Sequence, residues 1–195
     1  MSTVFLDIDT QLDFLYPAGA LYVPGAERIV PQIAALNRYA GSQGISLVST
    51  VDAHAENDPE FVRWPPHCVA HTAGQQKPAS TLLEKRVVIP NTASDLAGVS
   101  DAQQILLEKQ SVDCFTCVNL PALLERLNAT RCVVYGVVTE ICVKNAAMGL
   151  LGTGRQVEIV TDAVRSLSDS ASRQFLSDFT ASGGVLTTVA EVTGV

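Results

Sequence analysis

Apolar residues fall along this chain in short runs that end on polar side chains, and between those runs they recur at helical spacing. VFLDID (4–9) is an apolar run closing on carboxylates, ISLVSTVDAH (45–54) and QILLEK (104–109) also end on polar residues, and RCVVYGVV (131–138), QVEIVTDAV (156–164) and VLTTV (185–189) are further short apolar runs. Each predicts a buried strand. In AERIVPQIAALNRYAGSQG the positions of Ile29, Ile33 and Leu36 mark a helical stripe, with Gly44 as its stop. NLPALLERLNA, EICVKNAAMGLLGTG and SDSASRQFLSDFTASGG predict three more helices, the last with a capped start and Gly183 as its stop. Residues 55–84 carry Pro, Asn and Gly without a clear period and predict a long loop or lid. A loop of that length inside a compact domain is usually functional.

Strands alternating with helices predict a three-layer α/β fold with a mostly parallel central sheet covered on both faces. A chain of 195 residues fits a single domain over 1–195, with a site-forming or lid loop at about 52–84. Hydrophobic residues at 47% and charged residues at 17% leave little room for extended disorder. The net charge of -7 argues against nucleic acid and anionic membrane surfaces as partners. The amino-terminal MSTVFLDIDTQLDF has acids where a secretory leader needs a basic flank and an apolar stretch. No run approaches the ~20 apolar residues of a membrane helix. Five cysteines, an odd number, fit a reducing compartment, and a cytoplasmic protein is expected.

In sheets of this kind, ligands bind outside the carboxyl ends of the strands. Asp9, Asp52, His54, Lys109, the 137–142 stretch and Asp162 all fall there. Cys142 sits at a helix start, where the dipole and a cation such as Lys109 lower a thiol pKa. Asp9 is placed to accept its proton, and the backbone N–H groups at 138–142 to hold an oxyanion. Taken alone, a free cysteine is as often a small buried hydrophobe, the role expected for Cys68 and Cys132. Asp52 and His54 alternate at a strand end, with Glu60 and His67 in the loop beyond, and such a set suits zinc, iron or manganese. A solvated histidine beside a capping aspartate is the plainer account of D-x-H alone. His71 is expected to be an ordinary loop residue. Phe14 reads as core on sequence alone, whereas Trp64, between Arg63 and Pro65, reads as the cap of a pocket. Cys114 and Cys117 form CFTC, a spacing too common to carry a role without a second pair.

Taken together, DIDTQLDF, VDAHAENDPEF…WPPHCV, LEKQSVDCF and YGVVTEICVKNAA resemble the isochorismatase-like cysteine hydrolases, and within them the nicotinamidase branch. The resemblance implies a Rossmann-like fold and a catalytic triad of Asp9, Lys109 and Cys142. It implies metal ligands at Asp52, His54, Glu60 and His67, with zinc foremost and iron or manganese as alternatives. It places Phe14, Trp64 and Val137 around the substrate and a cis peptide between Val137 and Val138, with the N–H groups of Val138 and Cys142 as the oxyanion hole. The implied activity is hydrolysis of nicotinamide to nicotinate and ammonia through a thioester, in a homo-oligomer acting on a small-molecule amide. A second small amide of N-carbamoyl, ureido or maleamate type is the alternative substrate. A non-catalytic metal or redox protein using His54, His67 and CFTC is the alternative class, and it leaves Asp9 and Lys109 without a purpose. The chain departs from the family at VDCFTC after Lys109 and at NAAMGL after the cysteine turn.

Overall fold

The computed structural model describes residues 2–194. One seven-stranded sheet runs in the order β3-β4-β2-β1-β5-β6-β7, with every neighbouring pair parallel. Its strands are β1 (Ser2–Ile8), β2 (Ser46–Asp52), β3 (Arg86–Ile89), β4 (Gln104–Lys109), β5 (Ala129–Val137), β6 (Gln156–Arg165) and β7 (Val185–Thr187). The helices are α1 (Leu12–Leu15), α2 (Val30–Gln43), α3 (Leu120–Arg126), α4 (Lys144–Gly152), α5 (Asp169–Ala181) and α6 (Val189–Thr193). No helix among the described residues is long and apolar enough to cross a membrane.

Alternation along the strands divides the core into two layers. Val4, Leu6 and Ile8 of β1 pack with Leu123 of α3, Ala146 of α4 and Phe179 of α5. Phe5 points to the opposite face and joins Ile33 and Leu36 of α2. Each such side chain, fully buried, contributes roughly 1.5–3 kcal/mol. Gly44 stops α2 in a left-handed conformation, and Ser168 caps α5 by accepting from Ala171 N–H.

Three elements differ from expectation. RVVI, β3, lies at the sheet edge immediately after the aperiodic segment. The last strand ends at Thr187, because Thr188 and Glu191 form a reciprocal capping box that starts α6 at Val189. The aperiodic segment is also tied down more than a lid requires. His54 and Val69 form a β-bridge, and Cys68, Lys77 and Thr81 are buried.

β1 and β5 are neighbours, yet β1 continues toward α2 on one face and β5 toward α4 on the other. A crevice opens where connections of adjacent strands diverge in this way. At that point Gly136 (φ 120°) lies so close to β1 that a Cβ would fall 2.2 Å from the Ile8 carbonyl oxygen. Glycine allows the two strand ends to meet.

Candidate active site

Asp9 follows the last residue of β1 in a left-handed conformation (φ 51°). Thr50 of β2 fixes it there, donating from its hydroxyl to Asp9 Oδ1 (2.6 Å) and accepting from Asp9 N–H (3.2 Å). The other oxygen, Oδ2, lies 2.9 Å from Lys109 Nζ at the end of β4, outside hydrogen-bond alignment. Lys109 Nζ also donates to Asp52 Oδ1 and to the Ser111 carbonyl (2.9 Å). One buried ammonium is therefore shared by two carboxylates from two strands. Burial alone would lower its pKa, but Asp52 and Asp9 raise it well above the ordinary lysine value.

Cys142 stands opposite, in a π-helical turn (Thr139–Val143) that precedes α4. The Val138 carbonyl accepts from Ile141 N–H (3.0 Å) and Val143 N–H (3.2 Å), passing over the N–H of Cys142. The Val137–Val138 peptide is cis, as the resemblance implies. The Cys142 thiol faces the Asp9 carboxylate. Its pKa is not lowered as expected from a helix start. Burial raises it well above the ordinary value, the Asp9 charge adds to this, and Lys109 only partly opposes it. Burial and the Asp9 charge thus favour the thiol over the thiolate. Burial also raises the Asp9 pKa, against the pull of Lys109.

Asp52, His54 and His67 offer ligand atoms that all lie within 4.8 Å of one another, and all three residues are buried. Among the described residues they form the one such cluster, so Cys114 and Cys117 have no part in it. Both histidine Nε2 atoms lie 3.8 Å from Asp52 Oδ2. His67 Nδ1–H donates to the Pro65 carbonyl (2.8 Å), which leaves the Nε2 lone pair facing the cluster. His54 Nδ1 lies 3.0 Å from Asp58 Oδ2, and His54 Nε2 is buried without a hydrogen-bond partner. An orphaned imidazole nitrogen beside a carboxylate and a second imidazole fits a divalent cation. Lys109 and the two histidines hold Asp52 below the usual carboxylate range despite its burial.

The cluster and the thiol open on one cleft of about 380 Å³, counting its mouth. Phe14, Trp64, Val138 and Ile141 form its apolar walls, and Leu167, 47% exposed, stands at its rim. Val137, expected at the wall, instead packs in the core with Leu15 and Tyr135; Val138, one residue on, faces the cleft. Glu60 also lines the cleft but lies outside the three-residue cluster, with its pKa raised first by burial and then by Asp52. Asp162 is elsewhere, accepting from Val189 N–H at the start of α6. His71 is exposed in the loop, and Cys68, Cys114, Cys117 and Cys132 are free and buried.

Several supporting residues escaped the reading of the sequence. Asp58 faces His54, and Phe61 packs on both imidazoles (centroids 5.2 and 5.7 Å). Glu140 Oε1 accepts from Leu167 N–H (3.0 Å) and Ser168 N–H (2.7 Å), tying the cysteine turn to the rim. Four residues separating Asp58 from His54 gave the one available signal.

A buried thiol faces a carboxylate–ammonium pair, beside a three-ligand cluster, at the strand ends of a parallel α/β sheet. The isochorismatase domain model matches residues 3–191, and the chain belongs to that family. Its relatives fall among the family's amidohydrolases. The nicotinamidase of Saccharomyces cerevisiae is 23% identical over 190 residues, covering 83% of this chain and 87% of that protein. The zinc complex of the pyrazinamidase of Pyrococcus horikoshii superposes with a TM-score of 0.82 at 25% identity, over 96% of this chain and 99% of that one. The N-carbamoylsarcosine amidase of Thermoplasma acidophilum shares the fold, with a TM-score of 0.79 at 21% identity over 97% of each chain.

Proposed function

We propose that this family amidohydrolase is a nicotinamidase, hydrolysing nicotinamide to nicotinate and ammonia with Asp9, Lys109 and Cys142 as its catalytic residues. The observation that carries the reading is the Lys109 ammonium, bonded at once to the carboxylate beside the thiol and to a carboxylate of the cation cluster. The thiol and the cluster thus belong to one site. The similarity to a nicotinamidase and to a pyrazinamidase supports a pyridine or pyrazine carboxamide as substrate.

Burial favours the protonated thiol, and its proton leaves as sulfur attacks. Asp9 takes the proton while sulfur bonds to the carboxamide carbon, and the carbonyl oxygen becomes an oxyanion held by the N–H groups of Val138 and Cys142. Collapse breaks the C–N bond, Asp9 returns the proton to the departing nitrogen, and ammonia leaves a thioester. Asp9 then takes a proton from water as the hydroxide attacks the same carbon. Asp9 returns its proton to the departing sulfur, and the acid product leaves as nicotinate, its proton passing through solvent to ammonia. Lys109 keeps Asp9 charged in a dry site and balances the negative charge as it moves between oxygen and sulfur.

Asp52, His54 and His67 would hold one divalent cation, zinc foremost, with Glu60 close enough to the cleft to join through a bridging group. Bound there, the cation supplies a coordination position for a ring nitrogen and so orients the carboxamide toward Cys142. Phe14 and Trp64 flank the ring. Assembly as a homo-oligomer belongs to the same reading and is checked by light scattering.

The test is ammonia release from nicotinamide by the purified protein, beside Cys142→Ala and after chelation with zinc add-back. Loss in both, with recovery on add-back, is expected. Turnover that survives Cys142→Ala overturns the mechanism, and wild type inert toward nicotinamide but active on a carbamoyl or ureido compound replaces the substrate.

A further inference from the structure

We propose that Gln11 and Asp13, neither of them a ligand, are positioning residues that pre-assemble the cation site, so that Asp52, His54 and His67 are held in place before a cation arrives. This rests on the cation site described above but on no particular substrate. The side-chain carboxamide of Gln11 pairs with both backbone groups of Asp52: Nε2 donates to the Asp52 carbonyl (2.8 Å) and Oε1 accepts the Asp52 N–H (2.7 Å). On that side of β2 the ladder with β1 ends at Thr50, opposite Ile8, because Asp9 turns away. Gln11 therefore takes the place of the missing strand residue at the one position of β2 that carries a ligand. Its Nε2 also donates to the Gln75 carbonyl (2.8 Å), which ties the far end of the ligand loop to the same side chain.

Asp13, two residues on, fixes the other two ligands. Its Oδ2 accepts from Cys68 N–H (2.7 Å), immediately after His67, and Oδ1 accepts from Ala20 N–H (2.9 Å). Cys68 in turn accepts from His54 N–H through its carbonyl (3.1 Å), so one turn, strained to φ 44° at Cys68, places both histidines. Room for this contact depends on Gly74, where a Cβ would fall 2.1 Å from Asp13 Oδ2. Gln11 is fully buried and Asp13 half-buried, at the start of a four-residue helix too short to stand alone. The helix is held by these bonds and by Leu12 N–H donating to the Gln76 carbonyl (2.8 Å). It also carries Phe14, whose ring packs on His67 (centroids 5.3 Å). Ordering three ligands from two separate segments is costly, and a site built in advance does not meet that cost on binding. Removing outer partners of this kind typically weakens metal affinity about 10–100-fold.

The experiment titrates Zn2+ into metal-free protein against a chromophoric chelator and records the visible spectrum of the Co2+-loaded protein, with no turnover involved. Gln11→Ala and Asp13→Ala are expected to lower Zn2+ affinity about 10–100-fold and to alter the Co2+ bands, with Asp13→Asn, which keeps an acceptor for Cys68 N–H, retaining most of the affinity. Leu123→Ala, in the core of α3, is the control for general destabilisation. Should the alanine variants fail to fold, Gln11→Glu, which loses the donor to the Asp52 and Gln75 carbonyls, is read in their place. Affinity and Co2+ bands unchanged in folded Gln11→Ala, Gln11→Glu or Asp13→Ala protein, or lowered no more than in the Leu123→Ala control, overturn the proposal. Wild type that binds Zn2+ but ignores nicotinamide leaves this result standing and removes only the substrate assignment.

Discussion

β1 and the residue after it carry two buried aspartates two positions apart, each 2.9 Å from a buried lysine: Asp7 with Lys77, and Asp9 with Lys109. The pairs differ in what else they touch. Asp7 Oδ1 accepts from Thr10 Oγ1 (2.6 Å), and Oδ2 accepts from Asn37 Nδ2 (3.0 Å) and Ser49 Oγ (3.2 Å) beside its ion pair with Lys77. Asn37 is itself fixed by Tyr135 and by the Thr81 carbonyl, and Ser49 by Gln104. Lys77 reaches the Thr10 hydroxyl too. Asp9 has one oxygen secured by Thr50 and the other, beside Lys109, left without an aligned hydrogen bond, and its carboxylate faces a thiol. A buried carboxylate with both oxygens hydrogen-bonded is a fastening, whereas one with an oxygen in reserve is equipped to receive a proton. Both lie in the same dry interior, so satisfaction of lone pairs separates them and burial does not.

Removing the reactive carboxylate should produce the largest effect. Asp9→Asn is expected to lower kcat/KM for amide hydrolysis about 10²–10⁴-fold with the fold intact, read from steady-state kinetics beside circular dichroism. Asp7→Asn should do the reverse. It strands the Lys77 charge in the core and costs about 3–5 kcal/mol in urea unfolding, while turnover per folded molecule stays within a few-fold. If Asp7→Asn abolished turnover without loss of stability, the two pairs would not be divided as fastening and reagent.

The sequence shows Asp7 and Asp9 as equals in one DID, and no periodicity separates them. Their partners arrive from α2, β2 and the aperiodic segment, and only the closed sheet brings these together. Where a strand is buried on both faces its bounds were legible: QILLEK is β4, residue for residue. RVVI was not, because a four-residue edge strand with Arg86 and Val88 exposed lacks the continuous apolar signal. VLTTV misled at its end, where side-chain capping by Thr188 and Glu191 outweighed the β-branched pattern. The residues that meet around the cleft were legible because strand ends are where this architecture collects polar side chains. Asp58 and Asp13 act through backbone and ring contacts that leave no periodic trace.

Emptying the cation site sharpens the comparison from the other side. Asp52 shares Lys109 with Asp9, but only Asp52 belongs to the ligand cluster. Chelation is expected to raise KM for nicotinamide about tenfold or more, while iodoacetamide still alkylates Cys142 in the metal-free protein. Alkylation lost together with the metal would mean that the cluster activates the thiol rather than placing the substrate.

The smallest effect concerns the single bond that distinguishes the two oxygens of Asp9. Thr50 donates to Oδ1 of the ionised form and so lowers the Asp9 pKa, against burial, which raises it above the ordinary value and remains the larger influence. Asp9 receives the thiol proton only when ionised, so kcat/KM falls as pH drops through this pKa. Thr50→Val keeps the shape and removes the donor. It should move the acid limb of the pH profile upward by about one unit, equivalent to ~1.4 kcal/mol, which is within the range for a hydrogen bond to a charged group. At pH values well above the limb the two enzymes should differ only a few-fold. A limb that stays in place, or moves to lower pH, would mean that the titrating group is not Asp9 and that the open oxygen is not where the proton goes.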